Sequence, residues 1–357
     1  MKKTFFALLA GVAFCSAAFA NADGESLSTE QLDRIEKTVY GSVHTGGMLS
    51  RLDDIEKDLY GSELQGTLLE RQSAHVDFIE NGSNGQPSLL FKTSVAEWGL
   101  EIPNNAAQPL VDRVPLIEKK LEASALDSRP LAMRIERALG KIVSDPVTAD
   151  VTEVPVGTVA RLQLMETLKP AKTKKGDVVL FRATHNIIVN NALVVPVGAP
   201  AEGVVLSVKK PGAFGRPSQI KIAVKSLKTL GGATLPLTQG EASKKATEFE
   251  ASYAAAAGTS LVGAMVLGPV GLVSGFFIRG NAKDVPAGSI MYAETEKAVS
   301  VPAYPIPDSL KAHASEKQYV DLIEGKKVDS VSMTDGQEKL EKNSKDASRK
   351  KSEIDSL

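Results

Sequence analysis

Apolar residues in the first part of the chain recur at the spacing of an amphipathic helix, and the whole pattern returns after twenty residues. LDRIEKTVYGS at 32–42 is followed by LDDIEKDLYGS at 52–62. Each copy places three apolar residues on one helical face and ends at a glycine that can take the left-handed conformation of a helix terminus. The pattern predicts helical repeats over 21–72, with contacts between repeats made by Leu32, Ile35, Val39, Leu52, Ile55 and Leu59.

A looser form of this pattern continues through a helical region at 73–150. LIEKKL at 116–121 resembles the first half of a unit, and PLAMRIERALG at 130–140 resembles the join between two units. One amphipathic helix cannot bury its own apolar stripe, so it must pack on other units, on the intervening segment or on another chain. Two interpretations stay open, an array of helical hairpins without a ligand and an oligomerising module. The many acidic residues of these helices are expected on solvated faces.

Near residue 150 the helical period gives way to the alternation of β-strands. TVARLQL at 158–164 and IKIAVK at 220–225 alternate, and shorter apolar runs lie at 178–181, 187–189 and 204–208. VPVG at 154–157, VPVG at 195–198 and VPAG at 285–288 each precede strand-forming sequence, where proline and glycine suit the start of a strand or a barrel corner. We therefore expect an α+β protein whose β domain, 151–302, is an antiparallel barrel or sandwich.

Residues 251–278 hold no charged side chain, although 24% of the chain is charged. As one helix this segment would measure roughly 42 Å, but Gly268 and Pro269 favour a turn within it. Strand-forming sequence on both sides predicts an insertion into the β domain, and a helical hairpin brings its ends together. Small residues would let its arms, or copies from several chains, pack closely. The predicted contacts to a membrane or another copy are Gly258, Gly263, Gly268, Pro269, Gly271, Gly275, Phe276 and Phe277.

The first twenty residues have the three parts of a secretory signal peptide. Two lysines precede an apolar run at 5–14, and Ala18 and Ala20 suit cleavage before Asn21. Cleavage removes Cys15, the only cysteine, so the mature chain can form no disulfide and offers no thiol nucleophile. It also leaves 40 basic and 43 acidic residues, a net charge of −3 without a basic cluster. This charge distribution argues against nucleic-acid binding.

After the β domain, residues 303–357 predict an extended spacer, a short helix beginning at Asp308 and a disordered polar tail. Candidate chemistry is sparse throughout. The four histidines lie in different segments, and HExxH, GxSxG and phosphate-loop motifs are absent from the sequence. No catalytic, cofactor or metal site is predicted. Two carboxylates could still meet in space, so an enzymatic activity stays open. Trp98, the only tryptophan, is expected to be a packing residue.

The span 154–301 resembles a β domain of bacterial envelope proteins. The residues that carry the resemblance are the VPVG motif at 154–157, KGD at 175–177, VVPVGAPAEGVV at 194–205, and the small apolar sequence that precedes the VPAG strand. They are similar to the barrel subunit that links the inner and outer membranes in conjugation and type IV secretion channels. In that family a helical hairpin inserted in the barrel reaches the outer membrane, and copies form a ring. Here a cleavable signal stands where that family has an inner-membrane anchor, so the resemblance implies a periplasmic or outer-membrane-associated barrel.

Taken together, the patterns predict a non-enzymatic structural or assembly protein of the cell envelope. Its partners would be a membrane or further copies of the chain, with other envelope proteins as additional candidates. The alternative is a periplasmic ligand-binding or enzymatic domain in which the apolar hairpin is buried as core.

Overall fold

The computed structural model describes residues 29–83, 85–122, 128–209, 218–256, 276–277 and 284–314. The predicted signal peptide at 1–20, the tail from 315, and Gly258, Gly263, Gly268, Pro269, Gly271 and Gly275 lie outside them.

The first half of the described chain is helical, as the apolar pattern predicts. Gly41 and Gly61 have φ angles of 81° and 82°, the left-handed conformation expected where α1 and α2 end. Thr67 and Glu70 form a capping box at the start of α3. The helices are α1 Thr29–Tyr40, α2 Met48–Tyr60, α3 Leu68–Val76 with a π-helical turn at Asp77–Asn81, α4 Leu89–Gly99, α5 Leu110–Glu122 and α6 Leu131–Ile142.

The apolar faces of the first helices are covered within the same chain. Helix α1 lies against α5, and α2 lies against α6. A Cβ atom on Gly41 would approach Pro109 to 3.1 Å, and one on Gly61 would approach Pro130 to 2.8 Å, so each glycine lets the start of a later helix come close. The six predicted repeat contacts are fully buried in this shared core: Leu32, Ile35, Val39, Leu52, Ile55 and Leu59.

The second half is built from antiparallel strands in two sheets. Strands β6, β3, β2, β10, β8 and β7 follow one another around a closed barrel, because β6 also pairs with β7. The second sheet has the order β1-β11-β5-β4. An α+β fold with an antiparallel barrel is therefore confirmed. The strands are β1 Asp150–Val154, β2 Val159–Leu164, β3 Val178–Ala183, β4 Ile187–Val189, β5 Ala192–Val195, β6 Pro200–Lys209, β7 Gln219–Lys228, β8 Thr234–Thr238, β9 Phe276–Phe277, β10 Ile290–Thr295 and β11 Val299–Pro305.

The three VPxG motifs form equivalent corners of the barrel, as their residue types predict. Gly157, Gly198 and Gly288 have φ angles of 77°, 90° and 87°, so each makes the tight turn before β2, β6 or β10. Each glycine N–H also donates to the last residue of a neighbouring strand. The acceptors are the carbonyl oxygens of Thr295, Ala183 and Leu164, at 3.0, 2.8 and 2.8 Å.

The chain between β8 and β10 is an insertion between neighbouring strands of the barrel, since Thr238 of β8 pairs with Glu294 of β10. Helix α7, Glu241–Ala256, opens this insertion and lies against β10 and β2. Phe276 and Phe277 form β9 and pair with the start of β7. The helical hairpin predicted for 251–278 is not confirmed. Phe276 and Phe277 are strand and not helix, because they pair with β7, and the predicted turn lies outside the described residues. Within those residues, none of the helices is sufficiently long and apolar to cross a membrane.

The helical module rests on the second sheet. Leu193, Leu230 and Tyr304 belong to the same apolar cluster as the helices. Trp98 is a packing residue, as expected: it is 6% exposed, and its ring centroid lies 6.2 Å from that of Tyr304 in a T-shaped arrangement. A 3₁₀ turn at Asp308–Leu310 and a short helix α8, Lys311–Ala314, follow β11.

Candidate functional site

A cleft of about 670 Å³ lies between the helical module and the turn that joins β7 to β8. Among the described residues that line it, the basic side chains Arg34, Lys37, Arg113 and Lys228 outnumber the acids, of which Glu80 is one. The polar floor is supplied by Ser94 of α4 and Arg113 of α5, which are 2% and 1% exposed. The remaining lining residues include Thr38, Asn81, Leu90, Ala106, Ala107, Gln108, Leu230, Gly231, Gly232, Ala233 and Pro302.

The floor belongs to a set of buried arginine–glutamate pairs that recurs through the helical module. In each pair an arginine of one helix binds the glutamate 15 or 16 residues earlier in the preceding helix. All eight side chains belong to residues no more than 7% exposed. The closest N–O distances in Arg51–Glu36, Arg71–Glu56, Arg113–Glu97 and Arg134–Glu118 are 2.6, 2.7, 2.8 and 2.7 Å.

The expectation that the acids of these helices lie on solvated faces is wrong for these four glutamates. Each accepts a bidentate guanidinium, which offsets much of the cost of burying its charge. The loop after the helix adds a further donor in three cases. Glu36 accepts the N–H of His44 at 2.9 Å, and Glu56 accepts that of Leu64 at 2.7 Å. Glu97 instead accepts the side-chain amide of Asn104 at 3.0 Å.

The first two pairs include a second carboxylate, three residues before the glutamate. Asp33 accepts from Nη2 of Arg51 at 2.6 Å, and Asp53 accepts from Nη2 of Arg71 at 2.5 Å. The hydrogen bond to the glutamate is the largest influence on the pKa of both arginines. Together with the aspartate, it raises that pKa although burial acts in the opposite direction. Arg51 and Arg71 are thus each held by two carboxylates.

At Arg113 the corresponding position is Ser94, three residues before Glu97. Its Oγ accepts from Nη2 of Arg113 at 3.0 Å and from Nδ2 of Asn104 at 3.0 Å. The serine therefore replaces the aspartate as a hydrogen-bond acceptor but supplies no negative charge. Nη1 of Arg113 is buried and has no hydrogen-bond partner among the described residues. The Arg113 guanidinium, buried at the floor of the cleft, thus has one carboxylate and one donor still unsatisfied.

The rim of the cleft is exposed and basic. Lys37 of α1 and Lys228 of β7 are both exposed, and Nζ of Lys228 donates to Thr234 at 2.8 Å. Arg34 and Glu80 pair across the rim at 2.9 Å and largely cancel one another's charge. Because Glu97 also balances Arg113, the two lysines carry the remaining positive charge of the cleft.

A second polar cluster fixes the helix that leads into the apolar segment. Glu250 of α7 accepts from Nη2 of Arg161 on β2 at 2.6 Å, and the hydroxyl of Tyr292 on β10 also donates to Glu250. Nε of Arg161 donates to that hydroxyl at 2.9 Å. Burial lowers the pKa of Arg161, but Glu250 and Tyr292 together more than offset this and raise it overall. The cluster holds α7 against the outside of the barrel.

The structure separates the site residues predicted from the sequence. The six repeat residues lie in the helical core, and Phe276 and Phe277 lie on β9 at the barrel. The other predicted apolar contacts are outside the described residues. In that part of the chain no group of three or more histidine, cysteine, aspartate or glutamate side chains could hold a metal ion. His75 is fully buried, and its Nε2 lies 3.3 Å from Glu56.

The basic cleft was not predicted. A signal for part of it exists in the sequence, because Glu36 and Arg51 recur as Glu56 and Arg71 at the repeat spacing of twenty. Comparison of the whole chain with protein-family models and with curated proteins finds no match. The geometry of these sites therefore carries the functional argument.

Proposed function

We propose that this protein is a non-enzymatic assembly protein of the bacterial cell envelope. In this proposal it is exported, and segment 251–278 associates with a membrane or with further copies of the chain. The observation that carries the proposal is the position of the insertion. The chain inserted between neighbouring strands of a closed barrel contains the uncharged segment 251–278.

The interior of the barrel supports this proposal. Small and aliphatic side chains, with Phe181 and Met291, occupy it. A barrel of few strands is normally filled by its own side chains, so it offers no lumen that could receive an apolar segment. The proposal accordingly assigns 257–275 a position outside the barrel, where a membrane or another protein would cover it.

The anchoring of α7 supports it further. Arg161, Glu250 and Tyr292 hold this helix on the barrel immediately before the uncharged stretch. A fixed stem would present the segment in one direction relative to the barrel. In the conjugation and type IV secretion barrels that residues 154–301 resemble, an inserted hairpin likewise leaves the barrel for the outer membrane.

The test is replacement of 257–275 by a short glycine–serine linker, which retains α7 and β9. The matched control replaces 210–217, between β6 and β7, with the same linker. Both variants are expressed with the signal sequence, and periplasmic, membrane and detergent-soluble fractions are separated and sized. We expect the parent and the control to sediment with membranes or as oligomers, and the 257–275 variant to be released as a folded monomer. Release of the parent itself as a monomer would contradict the proposal and favour the alternative of a periplasmic ligand-binding domain.

A further inference from the structure

The contacts of Arg113 in the cleft can be compared with those of the other arginines in the arginine–glutamate pairs. Arg51 and Arg71 each contact two carboxylates, the second from Asp33 or Asp53. Arg113 contacts Glu97 and has Ser94 where those aspartates stand. Of these three arginines, Arg113 is the one in the floor of the cleft. In the fourth pair, Arg134–Glu118, Pro115 stands at that position, so the second carboxylate is a feature of the first two pairs. Among the four arginines, Arg113 is the one that lines the cleft, where an outside molecule could supply a negative charge.

We propose that this cleft binds a small acid through a phosphate or carboxylate group. The group would lie over Arg113 and provide the charge that Asp33 and Asp53 provide in the other two pairs. This binding site is separate from segment 251–278 and stands whether or not that segment associates with a membrane.

The donors of the cleft fit an oxyanion. Nη1 of Arg113 is buried without a partner among the described residues. The Ser94 oxygen accepts two hydrogen bonds, at 3.0 Å each, and its hydrogen remains to be donated. Hydrogen bonds from a guanidinium to an anion are short and strong, and an unsatisfied buried donor costs free energy. A bound oxyanion would therefore satisfy donors that the protein leaves unused.

The rim and the size of the cleft agree with a small ligand. Lys37 and Lys228 are positioned to attract an anion and to hold a second acidic group. Glu80 does not oppose this, since Arg34 pairs with it. The volume, about 670 Å³, falls within the range of small-molecule sites.

The test uses the side-chain Nε–H signals of the buried arginines in NMR spectra of the full mature chain. Arg51, Arg71 and Arg134 act as internal controls because they make the same glutamate contacts away from the cleft. Each signal is assigned by an arginine-to-lysine variant. Inorganic phosphate and acetate are titrated separately at constant ionic strength, and the anion that acts at the lower concentration identifies the preferred group. We expect a saturable shift of the Arg113 signal with at least one of them, while the other three signals stay in place.

Variants provide the second arm of the experiment. Ser94→Asp restores the second carboxylate from within the chain and should reduce anion affinity at least tenfold without loss of folding. The double variant Lys37→Ala, Lys228→Ala should bind the anion several-fold more weakly. Lys225 is an exposed lysine of β7 outside the cleft, so Lys225→Ala should leave anion binding unchanged. The proposal is overturned if neither anion moves the Arg113 signal, if all four arginines respond alike, or if Ser94→Asp binds as tightly as the parent.

Discussion

The two modules of this protein bury different kinds of side chain. The helical module has charged pairs within its core, including Arg113 and Glu97 at 1% and 2% exposure. The barrel core consists of small and aliphatic residues with Phe181 and Met291. Strand pairing closes the barrel and fixes the position of each strand through its ladder of hydrogen bonds. Short helices have no such ladder between them, and a paired arginine and glutamate can set their relative positions.

Mutations should therefore destabilise the two modules by different mechanisms. Removing one partner of a buried ion pair leaves an uncompensated charge, whereas removing a core side chain of the barrel leaves a cavity. Trp98 lies where the helices meet the second sheet, so its fluorescence reports on the helical module and its contact with that sheet.

The largest effect is expected for Glu97→Ala. Arg113 would then be buried without a carboxylate, and the free energy of unfolding should fall by about 3–5 kcal/mol. Urea titrations followed by Trp98 fluorescence and by circular dichroism would measure it. Glu36→Ala is the matched variant, because Arg51 keeps Asp33, and it should lose roughly half as much. Equal losses in the two variants would contradict the role assigned to the second carboxylate.

A core truncation in the barrel should have the next largest effect. Leu162 of β2 is fully buried, and Leu162→Ala should cost about 2–5 kcal/mol through lost burial and the cavity left behind. The control is Leu180→Ala, whose side chain on β3 is 49% exposed and should matter by less than about 0.5 kcal/mol. Hydrogen exchange should place the Leu162→Ala effect in the barrel strands. An effect confined to the helices would show that the barrel is not an independent source of stability.

Much of this fold could be predicted from local patterns. The alternation of apolar and polar residues predicted β2 and β7. The three VPxG motifs predicted barrel corners, and Gly41 and Gly61 predicted helix ends. Each of these signals lies within a few residues. The order of strands around the barrel could not be predicted in this way. Thr238 and Glu294 pair across an insertion of more than fifty residues, and no local pattern encodes which strands become neighbours.

The cleft was harder to predict, for a physical reason. Its floor joins Ser94 of α4 with Arg113 of α5, and its rim takes lysines from α1 and β7. Glutamates in amphipathic helices usually face water, so the sequence pattern does not predict that Glu97 is buried. The position of Ser94 becomes meaningful only when the contacts of Arg113 are compared with those of Arg51 and Arg71.

A third variant tests the contact between the modules. Gly198 has φ +90°, and a Cβ atom there would lie 2.5 Å from the carbonyl oxygen of Asn104. Gly198→Ala should therefore cost about 2–3 kcal/mol, from left-handed strain and displacement of the Asn104 loop. Gly157→Ala has a similar φ, +77°, with nothing within 4 Å of its Cβ, and should cost about 1–2 kcal/mol. Near-ultraviolet circular dichroism and unfolding titrations would measure the difference. Equal losses of unfolding free energy in the two variants would mean that the Asn104 loop can move aside without a measurable cost.

The smallest effect concerns pH and one histidine of the helical module. His75 is fully buried beside Tyr60, and burial is the main cause that lowers its pKa below the usual 6.5. Glu56 acts in the opposite direction but does not reverse the shift, since Arg71 also occupies that carboxylate. Because the unfolded chain binds the proton first, stability is fully present above pH 6.5 and falls as the pH drops below it.

Because His75 binds one proton, it can change the free energy of unfolding by at most about 1.4 kcal/mol per pH unit. Unfolding free energies measured between pH 7.5 and about 5.5 would show it, a range above the ordinary titration of the carboxylates. His75→Gln should flatten the curve, whereas His44→Gln, at an exposed histidine of the first unit, should leave it unchanged. An identical slope in His75→Gln would assign the dependence to another group. A flattened slope would show that the burial of His75 in the helical module makes the protein sensitive to mild acid.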